Sequence, residues 1–422
     1  MARALSKPRL MLRGTATPPG DKSISHRALI LGALAVGRSR IEGLNPGSDV
    51  AATAAALRAM GARIEPDGAA WTVDGVGVGG LLQPAAPLDL GNSGTAARLL
   101  IGLVAGHPIR ASFTGDASLN GRPMERVAAP LRRIGARVDG DRLPLAVAGA
   151  YPLVPARHRL EIPSAQVKSA LLLAALNTPG MTIVEGPPSR DHLERMLPMF
   201  GAEIAVDGGR IALRGEAELR PRRLSIPGDA SAAAFLAVAA LVVPASEIRI
   251  EGVGVNPTRI GLYDMLRAMG GDIAFSNRRE LCGEPVADMV VRHSALTGVE
   301  VPPEIAPRMI DDYPALFIAA AFARGTTRAR GLAELRLKES DRIAAMAPLG
   351  ASAEGDGLTI AGSGGAPLAG GFAVDPQLDH RVAMAFAVAG LRAKEPIGVA
   401  GMACADTSFP GFCALLDALR AE

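Results

Sequence analysis

Residues 20–37 read GDKSISHRALILGALAVG, a short polar and charged cluster followed directly by an Ala- and Leu-rich helical run. Five further stretches repeat this pattern at intervals of 64 to 82 residues: NSGTAARLLIGLVAG from Asn92, SAQVKSALLLAAL from Ser164, GDASAAAFLAVAALVV from Gly228, IDDYPALFIAAAFARG from Ile310 and LDHRVAMAFAVAG from Leu378. Self-similarity at a nearly fixed period is typical of a repeated supersecondary unit. The chain is therefore predicted to contain six copies of one unit.

The second half of each copy is also visible in the sequence. Apolar helix-like runs end at Gly61, Gly135, Gly201 and Gly270, where a residue that tolerates positive φ suits a helix C-terminus. Alternating Ile and Val follow, which is typical of strands. Each copy is therefore predicted to be a βαβαββ unit, although the copy around residues 344–358 is shortened.

Polar residues mark the start of every first helix. Hydroxyl, amide and carboxylate side chains commonly cap helices, and capping accounts for most of them. Cations in a first turn are different, because they oppose the helix dipole and favour a nearby anion. Such cations are Lys22, Arg27, Arg98, Lys168 and Arg381, and the second helices add Arg122, Arg190, Arg259, Lys338 and Arg342. Any one of these could be a solvated surface charge, but the set predicts phosphate or carboxylate sites.

Composition narrows the class of partner. A chain of 422 residues is expected to form two domains of about 200 residues each. The net charge of +3 and the low aromatic content of 3% argue against a nucleic-acid binder, which would need a basic face and stacking platforms. Because the cations are placed locally, the expected partner is a small, multiply charged metabolite.

Other segments argue against a disulfide-bonded or zinc-binding protein, a membrane protein and a secreted protein. Cys282, Cys404 and Cys413 form no CxxC pair, so we interpret them as packing residues or free thiols. The longest apolar run, residues 232–243, is too short to span a bilayer. The basic N-terminus lacks the apolar region of a secretory signal, so we expect a cytoplasmic protein.

The charged, Pro-containing residues 214–231 separate the third and fourth copies. The chain is predicted to cross from one domain to the other there.

Eight motifs together resemble the 5-enolpyruvylshikimate-3-phosphate (EPSP) synthase family over essentially the whole chain. They are GDKSISHR at 20–27, LGNSGTAARL at 90–99, GDASLNGRPM at 115–124, SAQVKSALLLAAL at 164–176, RDH at 190–192, NPTR at 256–259, LKESDR at 337–342 and LDHR at 378–381. The sequences RPMERV, SAQVK and NPTR are more similar to the class II form than to class I.

The resemblance implies a two-domain inside-out α/β barrel, the enolpyruvyl transferase fold, with helices inside and three βαβαββ repeats per domain. It places residues 20–227 in the N-terminal domain, and residues 1–19 with 228–422 in the C-terminal domain. The active site would lie in the interdomain cleft.

The resemblance also implies the reaction: the enolpyruvyl group of phosphoenolpyruvate is transferred to the 5-hydroxyl of shikimate 3-phosphate, with release of phosphate. Protonation of the methylene carbon requires a proton donor that later acts as a base. By similarity, the expected donor is Glu339. Asp311 would be the base or positioning group for the attacking oxygen, and Lys22 both a phosphate ligand and a proton relay.

Both substrates carry several negative charges, so both sites are expected to be rich in cations. By similarity, the phosphoenolpyruvate ligands would be Lys22, Asn92, Gly94, Thr95, Arg122, Gln166, Arg342 and Arg381. The shikimate 3-phosphate ligands would be Lys22, Ser23, Arg27, Ser164, Ala165, Gln166, Arg190, Asp311 and Lys338. Class I enzymes commonly carry a lysine before a Phe-Pro in the last repeat, whereas this chain has Thr407 and Ser408 there.

We expect a monomer that needs no metal or cofactor and that the phosphoenolpyruvate-site inhibitor glyphosate inhibits. Two alternatives stay open at this point. One is the sister transferase that acts on UDP-N-acetylglucosamine, but it typically carries a reactive cysteine in the loop matching GDASLNGRPM, and that segment has none. The other is a non-catalytic anion-binding protein of the same fold, which would be expected to lack Glu339 or Asp311.

Overall fold

The six apolar runs of the sequence form helices that are buried on nearly every side. In the computed structural model of this chain, which describes residues 3–4 and 11–421, all thirteen residues of the helix Ala230–Val242 are buried. The helices of the other five runs are buried along almost their whole length. A helix that is apolar all round has no face for water, so these helices form the cores of their units.

The elements of the first half alternate between helices and short strands. They are β1 (Arg3–Ala4), β2 (Met11–Ala16), α1 (Lys22–Leu34), β3 (Val36–Glu42), α2 (Ser48–Ala59), β4 (Arg63–Asp67), β5 (Ala70–Val76), β6 (Leu88–Asp89), α3 (Gly94–Ala105), β7 (Arg110–Thr114), α4 (Ala117–Gly121), α5 (Glu125–Arg133), β8 (Arg137–Asp139), β9 (Leu145–Ala148), β10 (Arg157–Arg159), α6 (Ala165–Ala175), β11 (Met181–Glu185), α7 (His192–Met199), β12 (Ile204–Asp207), β13 (Arg210–Arg214) and β14 (Arg223–Ser225).

The second half continues the alternation with longer strands at first. Its elements are α8 (Ala230–Val242), β15 (Glu247–Gly254), α9 (Gly261–Ala268), β16 (Asp272–Leu281), β17 (Glu284–Arg292), β18 (Glu300–Val301), α10 (Ala306–Met309), α11 (Tyr313–Phe322), β19 (Thr326–Ala329), β20 (Ser352–Glu354), β21 (Gly357–Ala361), β22 (Ala373–Val374), α12 (His380–Gly390), β23 (Gly398–Val399), α13 (Phe412–Ala418) and β24 (Arg420–Ala421). Short 3₁₀ helices occur at Pro303–Ile305, Ala333–Leu337, Ala344–Leu349 and Met402–Thr407.

The chain divides into two compact units. The N-terminal unit comprises Gly20–Ile226 and the short segment Leu281–Glu284, and the C-terminal unit comprises Pro227–Glu280, Pro285–Glu422 and the residues before Gly20. The repeat pattern does not predict the return of the chain to the N-terminal unit at Leu281–Glu284. Of the residues expected to precede Gly20 in the C-terminal domain, residues 1–2 and 5–10 lie outside the described part of the chain.

Three four-stranded sheets surround the helices of the N-terminal unit. Their strand orders are β14-β3-β5-β4, β6-β7-β9-β8 and β10-β11-β13-β12. In each sheet the first two strands are parallel and the other neighbours are antiparallel, as a βαβαββ repeat requires. The first repeat obtains its first strand from β14, at the end of the unit, because β2 pairs with β15 instead.

The C-terminal unit departs from the predicted repeat in two places. Its sheets have the orders β16-β17-β15-β2-β24, β18-β19-β21-β20 and β1-β23-β22. The fifth repeat has the 3₁₀ helices Ala333–Leu337 and Ala344–Leu349 in the region where a second α-helix starting near Lys338 and Arg342 was predicted, so that prediction was wrong; Gly350, with positive φ, follows the second of them. Among the described residues, β24 pairs with β2 and not with the strands of the sixth repeat's sheet.

Glycine permits the positive φ at several helix ends and one close approach between core helices. The predicted helix-terminal residues Gly61, Gly135, Gly201 and Gly270 all have φ between 92° and 111°, as expected. Within the N-terminal core, a Cβ on Gly102 of α3 would lie 2.3 Å from the carbonyl oxygen of Ala170 in α6, so the absence of a side chain lets these helices touch.

Among the described helices, none combines the length and apolar character that crossing a membrane requires.

Candidate active site

In the N-terminal unit, the predicted substrate ligands stand at the N-terminal ends of the core helices. Asp21, Ser93 and Ser164 cap α1, α3 and α6, and each accepts a hydrogen bond from a backbone N–H of its first turn, at 2.9, 3.2 and 3.3 Å respectively. Capping is therefore confirmed for Ser164, whereas α1 and α3 are capped by Asp21 and Ser93, the neighbours of Lys22 and Asn92. A helix N-terminus is positive in potential, so three such ends favour anions.

Lys22 begins α1 and is buried. Its Nζ donates to Asp49 Oδ2 at 2.7 Å, and both side chains are about nine-tenths buried. One turn further along α1, the Nδ1 of His26 lies 2.7 Å from the hydroxyl of Thr53. Burial lowers the pKa of His26 well below its usual value, and the charges of Lys22 and Arg27 lower it further. His26 is therefore neutral at physiological pH, which favours a structural role.

Arg27 connects α1 with α6. Its Nη1 donates to the carbonyl of Ser23 at 2.9 Å, and its Nη2 donates to the hydroxyl of Ser169 at 2.7 Å. Because Ser23 is itself a predicted ligand, one guanidinium fixes the backbone of a second site residue.

A network of side chains surrounds the start of α3. Arg122 Nη2 donates to Asn92 Oδ1 and, at 3.1 Å, to the hydroxyl of Ser118, while Asn92 Nδ2 donates to Asp116 Oδ2 at 2.6 Å. Gly94 lies beside these groups, and a Cβ there would be 2.8 Å from Arg122 Nη1 and 2.9 Å from Arg98 Nη1. Two guanidinium groups thus converge on a residue without a side chain.

Gln166 joins α6 to α3. Its Nε2 donates to the hydroxyl of Thr95 at 3.0 Å, and its Oε1 accepts from Arg98 Nη1 at 3.1 Å. Ser164, Ala165 and Gln166 are all half-buried at the start of α6. Arg190, also half-buried, lies just before α7 in the third repeat. The N-terminal unit therefore brings together predicted ligands from all three of its repeats.

In the C-terminal unit, the predicted residues cluster around Arg342, whose side chain is fully buried. Its Nη2 lies 2.5 Å from Glu339 Oε2, its Nε lies 2.7 Å from Asp379 Oδ2, and its Nη1 lies 3.4 Å from Asp311 Oδ1. Burial by itself lowers the pKa of Arg342, but Asp379, Glu339 and Asp311 outweigh it and raise that pKa above its usual value. Arg342 was predicted as a phosphoenolpyruvate ligand, and the geometry also makes it the group that orients both predicted catalytic carboxylates.

Two more predicted cations of this unit contact carboxylates. Lys338 Nζ donates to Asp311 Oδ1 at 3.0 Å, so these two predicted shikimate 3-phosphate ligands bind each other. Arg381 Nη1 lies 3.3 Å from Asp312 Oδ1, and its backbone N–H donates to Asp379 Oδ1, which caps α12. Every predicted cation described in this unit is thus held in place by an acidic side chain.

Several of these acidic partners were not predicted as site residues. Asp49 lies 27 residues from Lys22, and Asp379 lies 37 residues from Arg342. Asp379 did have a local signal, because it is the second residue of the LDHR motif, but that signal indicated only a helix cap. The pairings depend on tertiary structure, which spacing along the sequence does not encode.

The segment of Thr407 and Ser408, where a class I lysine was missing, forms a 3₁₀ helix ending at Thr407. The hydroxyl of Thr407 donates to the carbonyl of Cys404 at 2.9 Å. Burial raises the pKa of the Cys404 thiol to about 12, and Asp379 raises it too, so this cysteine stays protonated at neutral pH. All three cysteines are thiols that form no disulfide, which agrees with the absence of a CxxC pair.

One group in the described part of the chain has donors that could hold a metal ion. Asp191, His192 and Glu284 place one ligand atom each within 4.8 Å of one another, a grouping that the sequence did not show. His192 Nδ1 already contacts Glu284 Oε1 at 2.7 Å, and Asp191 Oδ2 accepts from Arg195 Nε at 2.9 Å. Because these donors bind protein groups, we assign no metal to them.

Solved structures identify the class of protein to which this architecture belongs. The enolpyruvyl transferase NikO from Streptomyces tendae is 19% identical and matches with a TM-score of 0.80 over 100% of this chain and 97% of its own, which shows the fold. EPSP synthase from Acinetobacter baumannii is 41% identical, with a TM-score of 0.86 over 99% and 98% of the two chains. The predicted enolpyruvyl transferase fold is therefore confirmed.

Sequence comparisons then specify the family. The family model for EPSP synthase (3-phosphoshikimate 1-carboxyvinyltransferase) matches residues 7–416. Proteins named 3-phosphoshikimate 1-carboxyvinyltransferase from Sphingopyxis alaskensis and Novosphingobium aromaticivorans are 56% and 55% identical; the alignments cover 97% and 96% of this chain and 96% of each relative. The chain belongs to the EPSP synthase family, so the predicted family and enzyme class are confirmed.

Proposed function

We propose that this protein transfers the enolpyruvyl group of phosphoenolpyruvate to the 5-hydroxyl of shikimate 3-phosphate and releases phosphate. Family membership supports the reaction. The observation that carries it in this chain is the placing of Glu339 and Asp311 on the two sides of one buried guanidinium, that of Arg342. A non-catalytic protein of this fold would have no need to orient two carboxylates in this way.

The roles of the residues follow from the chemistry. Glu339 protonates the methylene carbon of phosphoenolpyruvate, which creates positive character at C2. The 5-hydroxyl attacks that carbon, with Asp311 as base or positioning group, and the adduct then loses a proton and phosphate. Arg342 holds both carboxylates in fixed rotamers, which is the preorganisation that acid–base catalysis needs. Lys22 acts as phosphate ligand and proton relay.

The anion-binding residues divide by substrate. For phosphoenolpyruvate we propose Lys22, Asn92, Gly94, Thr95, Arg122, Gln166, Arg342 and Arg381. For shikimate 3-phosphate we propose Lys22, Ser23, Arg27, Ser164, Ala165, Gln166, Arg190, Asp311 and Lys338. The networks around Arg27, Arg122 and Gln166 support these sets, because they keep the donors oriented before an anion arrives. A cytoplasmic, monomeric enzyme remains our expectation.

Phosphate release tests the proposal directly. Purified protein is incubated with phosphoenolpyruvate and shikimate 3-phosphate, and in parallel with phosphoenolpyruvate and UDP-N-acetylglucosamine. We expect phosphate only with the shikimate ester. Release with the sugar nucleotide alone would replace the proposal by the sister reaction, and release with neither would favour a protein that binds anions without catalysis.

Glyphosate is expected to inhibit this enzyme, and Gly94→Ala is expected to weaken that inhibition. The new Cβ would approach Arg122 Nη1 to 2.8 Å and Arg98 Nη1 to 2.9 Å, so both guanidinium groups must shift around a bound anion. An overpacking cost of about 1–3 kcal/mol corresponds to an inhibition constant raised roughly 5- to 150-fold. Phosphoenolpyruvate is smaller than the inhibitor, so its binding should be weakened less by the added methyl group. The KM for phosphoenolpyruvate is therefore measured together with the inhibition constant.

Gly121→Ala is the matched control for this prediction. It adds the same methyl group next to Arg122 in the sequence, but at a position with no atom within 4 Å of the new Cβ. Its inhibition constant should match that of the unchanged protein. Equal inhibition of the unchanged protein and Gly94→Ala would show that Gly94 does not contact the inhibitor.

A further inference from the structure

Lys168 and Glu194 form a buried ion pair beside the segment that carries Arg190. Lys168 Nζ lies 2.5 Å from Glu194 Oε1, and only 9% and 5% of the two side chains are exposed. The same Nζ donates to the carbonyl oxygen of Ser189 at 3.4 Å. One ammonium group therefore joins the first turn of α6, the first turn of α7 and the residue directly before Arg190.

The pair satisfies the charge of Lys168 inside the protein. A lysine in the first turn of a helix opposes the helix dipole, so the sequence predicted an anion near it. That anion is Glu194, which means that Lys168 needs no substrate phosphate to compensate its charge. The second oxygen of Glu194, Oε2, is buried and has no hydrogen-bond partner among the described residues. Lys168 is therefore the main partner of this carboxylate.

Stability alone does not account for this pair. Taking two charges out of water is unfavourable, and a buried ion pair is often no more stable than apolar residues of the same volume. What the pair provides is a defined geometry, because Lys168 can reach both Glu194 and the Ser189 carbonyl only when α6, α7 and the Arg190 segment keep one arrangement.

The neighbouring residue of α6 holds a second predicted cation in the same manner. The hydroxyl of Ser169 accepts a hydrogen bond from Arg27 Nη2 at 2.7 Å. Ser164, Ala165 and Gln166 lie at the start of the same helix. Consecutive residues of α6 thus fix the side chain of Arg27 and the backbone next to Arg190, while the start of the helix carries three further ligands.

We propose that Lys168 and Glu194 are a positioning pair for shikimate 3-phosphate binding, which acts by holding Arg190 in register with the N-terminus of α6. The inference rests on the proposed function, in which Arg190 binds this substrate. Neither residue touches the substrate or takes part in proton transfer. Their effect is on affinity for shikimate 3-phosphate and not on the chemical step.

A double-mutant cycle tests the pair. Lys168→Met, Glu194→Gln and the double variant are compared with the unchanged protein in calorimetric titrations with shikimate 3-phosphate and in steady-state kinetics. We expect each single variant to raise the dissociation constant and the KM for shikimate 3-phosphate about tenfold, close to the lower end of what the loss of one hydrogen bond to a charged group costs. The double variant should be no weaker than either single one, because the residues act as a unit.

Turnover at saturating substrate and the KM for phosphoenolpyruvate should stay unchanged in all three variants. Lys168→Arg, which keeps the charge, should retain most of the affinity. Glu185→Gln is the matched control in the same repeat: Glu185 accepts two hydrogen bonds from Arg157, both at 2.9 Å, on an exposed sheet face. It should bind shikimate 3-phosphate like the unchanged protein.

Each other outcome has a distinct meaning. If Lys168→Met weakens binding but Glu194→Gln does not, Lys168 is a direct ligand and the inference is overturned. Normal affinity in every variant, with only a lower melting temperature, also overturns it. Should Lys168→Met fail to fold, the isosteric Glu194→Gln decides by the same titration. An unchanged protein that does not bind shikimate 3-phosphate refutes the proposed function itself.

Discussion

Glutamine in place of Glu339 is expected to lower turnover by about 10²–10⁴-fold, the usual contribution of general acid–base catalysis. Glu339 Oε2 lies 2.5 Å from Arg342 Nη2, and the carbonyl oxygen of glutamine can accept the same hydrogen bond. The substitution therefore keeps the shape of the group and removes only the proton that it exchanges. Turnover is measured by phosphate release at saturating concentrations of both substrates.

Binding separates this effect from a general defect. Glu339 is not among the proposed shikimate 3-phosphate ligands, so Glu339→Gln should bind this substrate with an unchanged dissociation constant. Glu354→Gln, at an exposed position of β20 in the same unit, is the control for loss of a glutamate and should turn over normally. Normal turnover in Glu339→Gln would assign the proton donor to another residue.

Local patterns account for what the sequence predicted correctly. Runs such as residues 232–243 are apolar on every side, and their burial in a core follows from composition alone. The glycine that ends a helix is equally local, since positive φ is a property of one residue, and Gly61 and Gly135 have it. Helix starts at Lys22 and Gly94 were visible because capping residues precede them.

Features that depend on distant pairing were not predictable from the residues. The strand β2 pairs with β15, more than 200 residues later in the chain; the family resemblance implied that residues 1–19 join the C-terminal domain, but the repeat pattern did not. The short segment Leu281–Glu284 belongs to the N-terminal unit because Glu284 contacts His192, and no local signal indicates that contact.

The same limit applies to the chemistry of the candidate site. Motifs identified the cations, but an arginine in a motif can be a substrate ligand, an organiser of carboxylates or both. Arg342 shows why spacing cannot decide: its partners Asp311 and Asp379 lie 31 and 37 residues away on either side. Only the folded arrangement shows that one guanidinium orients two predicted catalytic groups.

The buried position of Arg342 leads to a large expected loss of stability in Arg342→Met. Its side chain is fully buried, Asp379 beside it is fully buried as well, and Glu339 and Asp311 are only 17% and 16% exposed. Removing the cation leaves these carboxylates without their shared partner in a site that water barely reaches. Breaking a buried ion pair from one side costs about 3–5 kcal/mol, and we expect a decrease of this size in the free energy of unfolding.

Denaturant unfolding of the unchanged protein, Arg342→Met and two further variants measures this loss. Arg328→Met removes an arginine of the same unit that pairs with Glu300 at 3.0 Å on the exposed surface, and it should cost at most about 1 kcal/mol. Arg342→Lys keeps the charge but loses the planar fork that contacts Asp379 through Nε and Nη2, so its loss of stability should fall between those of the other two variants.

If Arg342→Met is no less stable than Arg328→Met, the three carboxylates do not need the guanidinium to stay buried. In that case the arginine serves substrate binding alone, as the motif first suggested. A loss of several kcal/mol would instead show that the group which orients Glu339 and Asp311 also holds this part of the C-terminal unit together.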